Sequence, residues 1–143
     1  LHGLASLRLG WGYCSEDILN SLMKVRGPFS VNIAAIMAGT AAIEDIKFQE
    51  KSFQHNKIWM KWLENEIQLL KLDFQPSITN FLLVQFPETA DHSAKKAETF
   101  LAERGILVRG MEVYGLPNHL RISIGNEMEN KILVKELKKF FRK

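Results

Sequence analysis

The run from Glu44 to about Leu72 constrains this fold more than any other segment, because a helical pattern continues through it with no proline or glycine. Phe48, Phe53, Trp59, Trp62, Leu63, Ile67 and Leu70 supply its apolar and aromatic positions. As one rod it would span roughly 40 Å, longer than a small domain needs. A connector between two domains is therefore expected, with a break near Gln54 as the alternative. Trp59 and Trp62 read as packing residues of this helix.

The residues before the rod predict a strand and two helices. Leu4 to Tyr13 reads as a turn leading into a buried strand. Ser15 then has the chemistry of an N-cap, with Glu16 and Asp17 in the first turn where negative charge is favoured. Ile18, Leu19, Leu22 and Met23 make the apolar stripe of that helix, and Arg26-Gly27-Pro28 stops it. Asn32 to Asp45 is rich in Ala34, Ala35, Ala38, Gly39, Ala41 and Ala42, small residues that let a neighbour approach closely.

Beyond the rod the pattern changes to short units. Ile78 to Phe86 is strand-like between Pro76 and Pro87. Ser93 to Arg104 is an amphipathic helix stopped by Gly105, and strands follow at Ile106 to Arg109 and Leu120 to Ile124. A last helix opens at Asn126 with Glu129 in the capping-box position. It carries Leu133, Leu137, Phe140 and Phe141 on one face. Strand, helix, strand, strand, helix makes a small open α/β layer.

Composition narrows the functional classes. The chain is 46% hydrophobic and 24% charged, in the range of soluble globular proteins. No apolar run approaches the roughly 20 residues of a membrane helix, and no signal-peptide pattern opens the chain. Cys14 is a single cysteine, which excludes an internal disulfide framework and points to the cytoplasm. The formal charge of +3 raises the question of nucleic acid. Much of the excess, however, lies in Lys131, Lys135, Lys138, Lys139, Arg142 and Lys143, a solvated face suited to a helix C-terminus. Neither nucleic acid nor membrane is expected as a partner. The chain opens on Leu1, so a piece of something longer is expected.

Candidate chemistry concentrates in three arginines. Arg109 and Arg121 each sit inside a short apolar strand-like run, with a turn-rich segment between them. If the two strands fold back on each other, both guanidinium groups aim into one region and can receive a doubly charged phosphate or carboxylate. The alternative is a pair of edge-strand charges that block aggregation. Arg8, in Leu-Arg-Leu-Gly-Trp-Gly, either snorkels from a strand or neutralises an anion that Gly3 and Ser6 leave room for. His2, His55, His92 and His119 lack the spacing of a metal pair, and no metal site is expected. His119 reads as a turn-packing residue and Cys14 as inert core.

Taken in order, these segments resemble a known family. The motifs are His2-Gly3-Leu4-Ala5-Ser6-Leu7-Arg8-Leu9-Gly10-Trp11, Val25-Arg26-Gly27-Pro28-Phe29-Ser30-Val31-Asn32, Thr79-Asn80-Phe81-Leu82-Leu83-Val84, Gly105 to Gly125, and Glu127-Met128-Glu129-Asn130. Together they resemble the C-terminal part of pyridoxal-phosphate enzymes of the aspartate-aminotransferase fold (fold type I), and among them most closely the histidinol-phosphate aminotransferases. The resemblance implies an α/β fold: residues 1–45 end the large cofactor-binding domain, and residues 46–143 form a long connecting helix with the small C-terminal domain. It implies pyridoxal 5'-phosphate as cofactor, with Arg8 matching the arginine that binds the cofactor phosphate. Arg121 matches the arginine that holds the substrate's anionic head, and Arg109 a second arginine that selects phosphorylated or dicarboxylic substrates.

The same resemblance places the Schiff-base lysine immediately before Leu1. No catalytic residue is therefore expected within the chain, and these residues alone are expected to be inactive. For the parent protein it implies transamination of histidinol phosphate with 2-oxoglutarate, giving imidazole-acetol phosphate and glutamate, in a cytoplasmic homodimer. The alternatives are an aromatic or other amino-acid aminotransferase, a threonine-phosphate decarboxylase of the same fold, or a non-catalytic module that retains the fold.

Overall fold

A computed structural model describes residues 1–142. Lys143, counted above with the basic face of the last helix, lies outside the described residues. The chain divides into two compact units, Leu1–Phe53 and a second beginning at Gln54.

In the first unit the expected strand does not form. Ala5–Leu7 make one 3-10 turn, and Arg8 closes it in the left-handed conformation at φ 59°. A left-handed residue turns the chain out of an extended path, and no strand of this unit lies alongside to complete a ladder. Trp11 and Tyr13 are accordingly exposed. Helix α1 spans Glu16–Val25, with Ser15 at the N-cap position but making no side-chain capping bond. Its stripe of Ile18, Leu19, Leu22 and Met23 remains about half exposed.

Helix α2 spans Ile33–Glu44. The Asn32 side chain caps it, accepting the Ala35 N–H at 2.8 Å, and donates to the Leu7 carbonyl at 3.3 Å. Of the small residues, Ala35 and Gly39 serve the close approach expected of them, whereas Ala34 and Ala41 are exposed. Ala35 is fully buried, and a Cβ on Gly39 would stand 2.5 Å from Leu9 Cδ2. Asp45 ends α2, and its carboxylate accepts the Phe48 N–H at 2.9 Å. That bond starts helix α3, Ile46–Leu69, whose 24 residues rise about 36 Å. The rod therefore begins after a break at Asp45 and runs through Gln54 without one.

In the second unit a four-stranded antiparallel sheet has the order β1-β2-β4-β3. The strands are β1 (Phe74–Gln75), β2 (Phe81–Gln85), β3 (Arg109–Gly110) and β4 (His119–Ser123). β2 is shorter than expected because Ser77 to Asn80 form a hydroxyl-bonded turn. Ser77 Oγ accepts the Thr79 N–H at 3.1 Å there, and Ile78 is wholly exposed. β3 shrinks to two residues because Ile106 to Val108 find no ladder partner. β1 was not foreseen.

Helices α4 (Ala94–Ala102) and α5 (Glu127–Phe140) complete this unit. Leu82 and Val84 of β2 and Leu120 and Ile122 of β4 alternate into a core with Leu101, Leu137, Leu63 and Ile67. Each such side chain contributes about 1.5–3 kcal/mol by leaving water. Ser93 caps α4 and Gly105 ends it at φ 75°, which lets the Ile106 N–H reach the Leu101 carbonyl at 3.0 Å. Asn126 and Glu129 form the expected capping box on α5, at 3.0 and 2.8 Å.

Candidate anion-binding site

Because β3 and β4 are antiparallel, their register decides whether Arg109 and Arg121 meet. Arg109 pairs directly with Arg121, and Gly110 with Leu120. Leu120 and Ile122 are buried in the core, so the alternation of a strand sends Arg121 and its partner Arg109 to the opposite face. Leu83 of β2 lies across from Arg121 on its other side. The Arg121 guanidinium carbon stands 5.1 Å from the Phe81 ring centroid, and its Nε is buried without a partner. Arg109 Nη2 donates to the Tyr114 hydroxyl at 3.0 Å, with the guanidinium carbon 5.5 Å from that ring's centroid.

Neither guanidinium is in an ion pair among the described residues. Like charges directly across an antiparallel pair destabilise it, and no carboxylate among the described residues pairs with either. An arriving anion would, with several charge-assisted donors available to its oxygens. Protection of a sheet edge does not account for Arg121, since β4 is an interior strand, whereas Arg109 does stand on the edge strand β3.

The neighbouring residues hold this geometry. Glu98 of α4 accepts the Gly110 N–H through Oε1 at 3.0 Å, and its Oε2 receives Lys95 Nζ at 3.0 Å. The Lys95 hydrogen bond holds the Glu98 carboxyl below its ordinary pKa, joined by the Gly110 N–H and opposed by partial burial. Glu112–Tyr114 form a 3-10 turn that Gly115 closes at φ 74°, returning Tyr114 toward Arg109. Past the end of β4, buried Asn130 receives the Gly125 N–H at 2.9 Å and donates to the Gly125 carbonyl at 3.0 Å. His55 Nε2 reaches the same carbonyl at 2.9 Å.

These supporting residues were not singled out from sequence. Tyr114 had a usable signal, an aromatic residue in the turn between the two arginines. Glu98 and Asn130 had none, because their partners are backbone groups. His119 closes the turn through Pro117 and Asn118, its N–H donating to the Leu116 carbonyl at 3.1 Å, and also opens β4 opposite Gln85.

Arg8 belongs to the first unit. Its Nη1 donates to the Ala5 carbonyl at 2.9 Å, folding the side chain over its own turn and leaving further donors exposed. His2, in the same segment, has a buried Nδ1 with no partner. Among the described residues no group of three or more His, Cys, Asp or Glu is arranged to hold a metal. No helix described is long and apolar enough to cross a membrane.

Residues 2–137 match the model of the aminotransferase class I and II family. The chain belongs to this family. It is 47% identical over 99% of its length to histidinol-phosphate aminotransferase of Maricaulis maris, of which it spans 39%. It is 44% identical over 98% of its length to the protein of that name from Paramagnetospirillum magneticum, again spanning 39%. The chain thus covers well under half the length of these relatives. The crystal structure of histidinol-phosphate aminotransferase from Sinorhizobium meliloti in complex with pyridoxal-5'-phosphate aligns with a TM-score of 0.77 at 24% identity. That match covers 98% of this chain and 38% of the other, and it establishes the fold: an α/β part of a fold type I transferase, as the motifs implied.

Proposed function

We propose that this chain is part of a pyridoxal-phosphate-dependent aminotransferase that moves an amino group from histidinol phosphate to 2-oxoglutarate, as in histidine biosynthesis. The observation that carries the reading is the Arg109–Arg121 pair, opposed in register and free of any carboxylate partner among the described residues. Two guanidinium groups suit a phosphate dianion better than a single carboxylate. The high identity to two histidinol-phosphate aminotransferases supports the same substrate.

Arg121, stacked near Phe81, would grip the anionic head of the substrate, and Arg109 would add the second positive charge that a phosphate calls for. Binding energy from this remote group would orient the substrate's amine for reaction. Arg8 would hold the cofactor phosphate: its unused donors and the unsatisfied His2 Nδ1 suit an anionic group near this turn. When bound, pyridoxal phosphate supplies the electron sink through which amino and keto acids exchange nitrogen.

In the parent protein we place residues 1–45 at the end of the large domain and residues 46–143 in the connecting helix and small domain. We assign that protein to the cytoplasm as a homodimer. The exposed apolar residues Trp11, Ile18, Leu22 and Phe29 of the first unit suit a covered surface in the larger assembly.

The test is a substrate profile of the full-length enzyme. Arg109→Ala should raise the KM for histidinol phosphate by about tenfold or more, from loss of a charge-assisted bond of roughly 1.5–3 kcal/mol. The KM for unphosphorylated histidinol should change far less. Equal losses for the two donors would refute the assignment.

A further inference from the structure

Tyr114 is not accounted for by the reading above. It is more than half exposed, so it does little for the core, yet it makes two separate contacts with Arg109. Its hydroxyl accepts from Nη2 at 3.0 Å, and its ring lies 5.5 Å from the guanidinium carbon. The backbone on either side serves that meeting. Gly110, next to Arg109, is tied to Glu98 at 3.0 Å, and the 3-10 turn ending at Gly115 returns Tyr114 five residues later.

We propose that Tyr114 is a positioning residue that holds the Arg109 guanidinium in place beside Arg121 and so sets the preference of the site for a phosphorylated substrate. This inference rests on the reading of Arg109 and Arg121 as the receptor for the substrate's anion. An exposed arginine must lose side-chain freedom when it binds, and a tether present beforehand removes part of that loss. The chemistry of the tether matters. A carboxylate at this place would orient Arg109 but also neutralise it. A phenol accepts one of the five guanidinium N–H bonds and leaves the positive charge for the ligand. Its ring adds an attraction that needs the cation intact. Arg121 is half-buried beside Phe81 on an interior strand, whereas Arg109 sits on a two-residue edge strand. The second charge is thus the one that requires a tether.

The experiment compares full-length wild type with Tyr114→Phe, Tyr114→Leu, Arg109→Ala and the Arg109→Ala/Tyr114→Leu double variant. Steady-state kinetics are read with histidinol phosphate and with histidinol, and inorganic phosphate binding is read by calorimetry. Tyr114→Phe, which keeps the ring, should raise the KM for histidinol phosphate about threefold, and Tyr114→Leu about tenfold, as expected for loss of one hydrogen bond and then of the ring contact as well. kcat, the KM for histidinol and the melting temperature should stay at wild-type values, and phosphate affinity should fall in parallel. In the Arg109→Ala background the Tyr114 change should have no further effect. The tether is overturned if Arg109→Ala selectively weakens the phosphorylated donor while both Tyr114 variants match wild type. It is also overturned if the Tyr114 effect persists without Arg109. If Arg109→Ala weakens both donors equally, or neither, the anion-receptor reading fails and the tether fails with it.

Discussion

The Glu98 carboxylate accepts the Gly110 N–H at 3.0 Å, so helix α4 grips the edge strand at the residue next to Arg109. Without that bond the two-residue strand would rest on its pairing with β4 alone. Glu98→Ala should therefore destabilise the protein by about 1.5 kcal/mol, the lower end for a bond to a charged group. The effect carries a pH signature. The folded-state pKa of Glu98 lies below its ordinary value, so its contribution is complete above the usual carboxylate range and is lost as pH falls through the folded value. Thermal melts should show a constant gap between wild type and variant near neutrality, closing only in acid. A gap that widens in acid would contradict this assignment.

Asn130 serves both backbone groups of Gly125 from a nearly inaccessible position. Asn130→Ala would strand a donor and weaken an acceptor, at about 2–4 kcal/mol. Asn130→Asp keeps the acceptor for the Gly125 N–H but sets a buried carboxylate oxygen against the Gly125 carbonyl. Near neutral pH its loss should therefore be at least as large as that of Asn130→Ala, shrinking in acid where the protonated carboxyl can donate to that carbonyl. Chemical denaturation of the pair gives the order directly.

The two N-caps differ in a way that mutagenesis can read. Asn126→Ala should cost about 1 kcal/mol, because the capping box at α5 is fully formed. Ser15→Ala should change stability by less than about 0.5 kcal/mol, because Ser15 makes no side-chain capping bond. Equal losses would mean that Ser15 caps α1 in solution.

Arg121→Lys preserves the charge and removes the planar fork. In the full-length enzyme we expect the KM for histidinol phosphate to rise about tenfold, with the fold intact by circular dichroism. A lysine that restores wild-type KM would show that charge alone suffices there.

The sequence carried the helices of the second unit well because their signals are local. Ser93, Gly105, Asn126 and Glu129 act within a turn of where they stand. The pairing of Arg109 with Arg121 was legible only as a condition, since a turn between two strand-like runs permits it while their one-to-one register shows only in the sheet. The expected strand at Leu4 to Tyr13 failed because apolar alternation cannot report a left-handed residue such as Arg8. β1 escaped because two residues make no periodic pattern. Glu98, Asn130 and His55 escaped for a different reason. Their partners, the backbone of Gly110 and Gly125, are distant in sequence or carry no side-chain signature.

The two arginines are mounted on strands of unequal permanence. Arg121 stands on a strand flanked on both sides, and Arg109 on a border strand of two residues. A lineage could exchange or delete the border charge while the inner one stays anchored. On the proposed reading of these arginines as the receptor for the substrate's anion, substrate range would drift one charge at a time, without the sheet having to be reinvented.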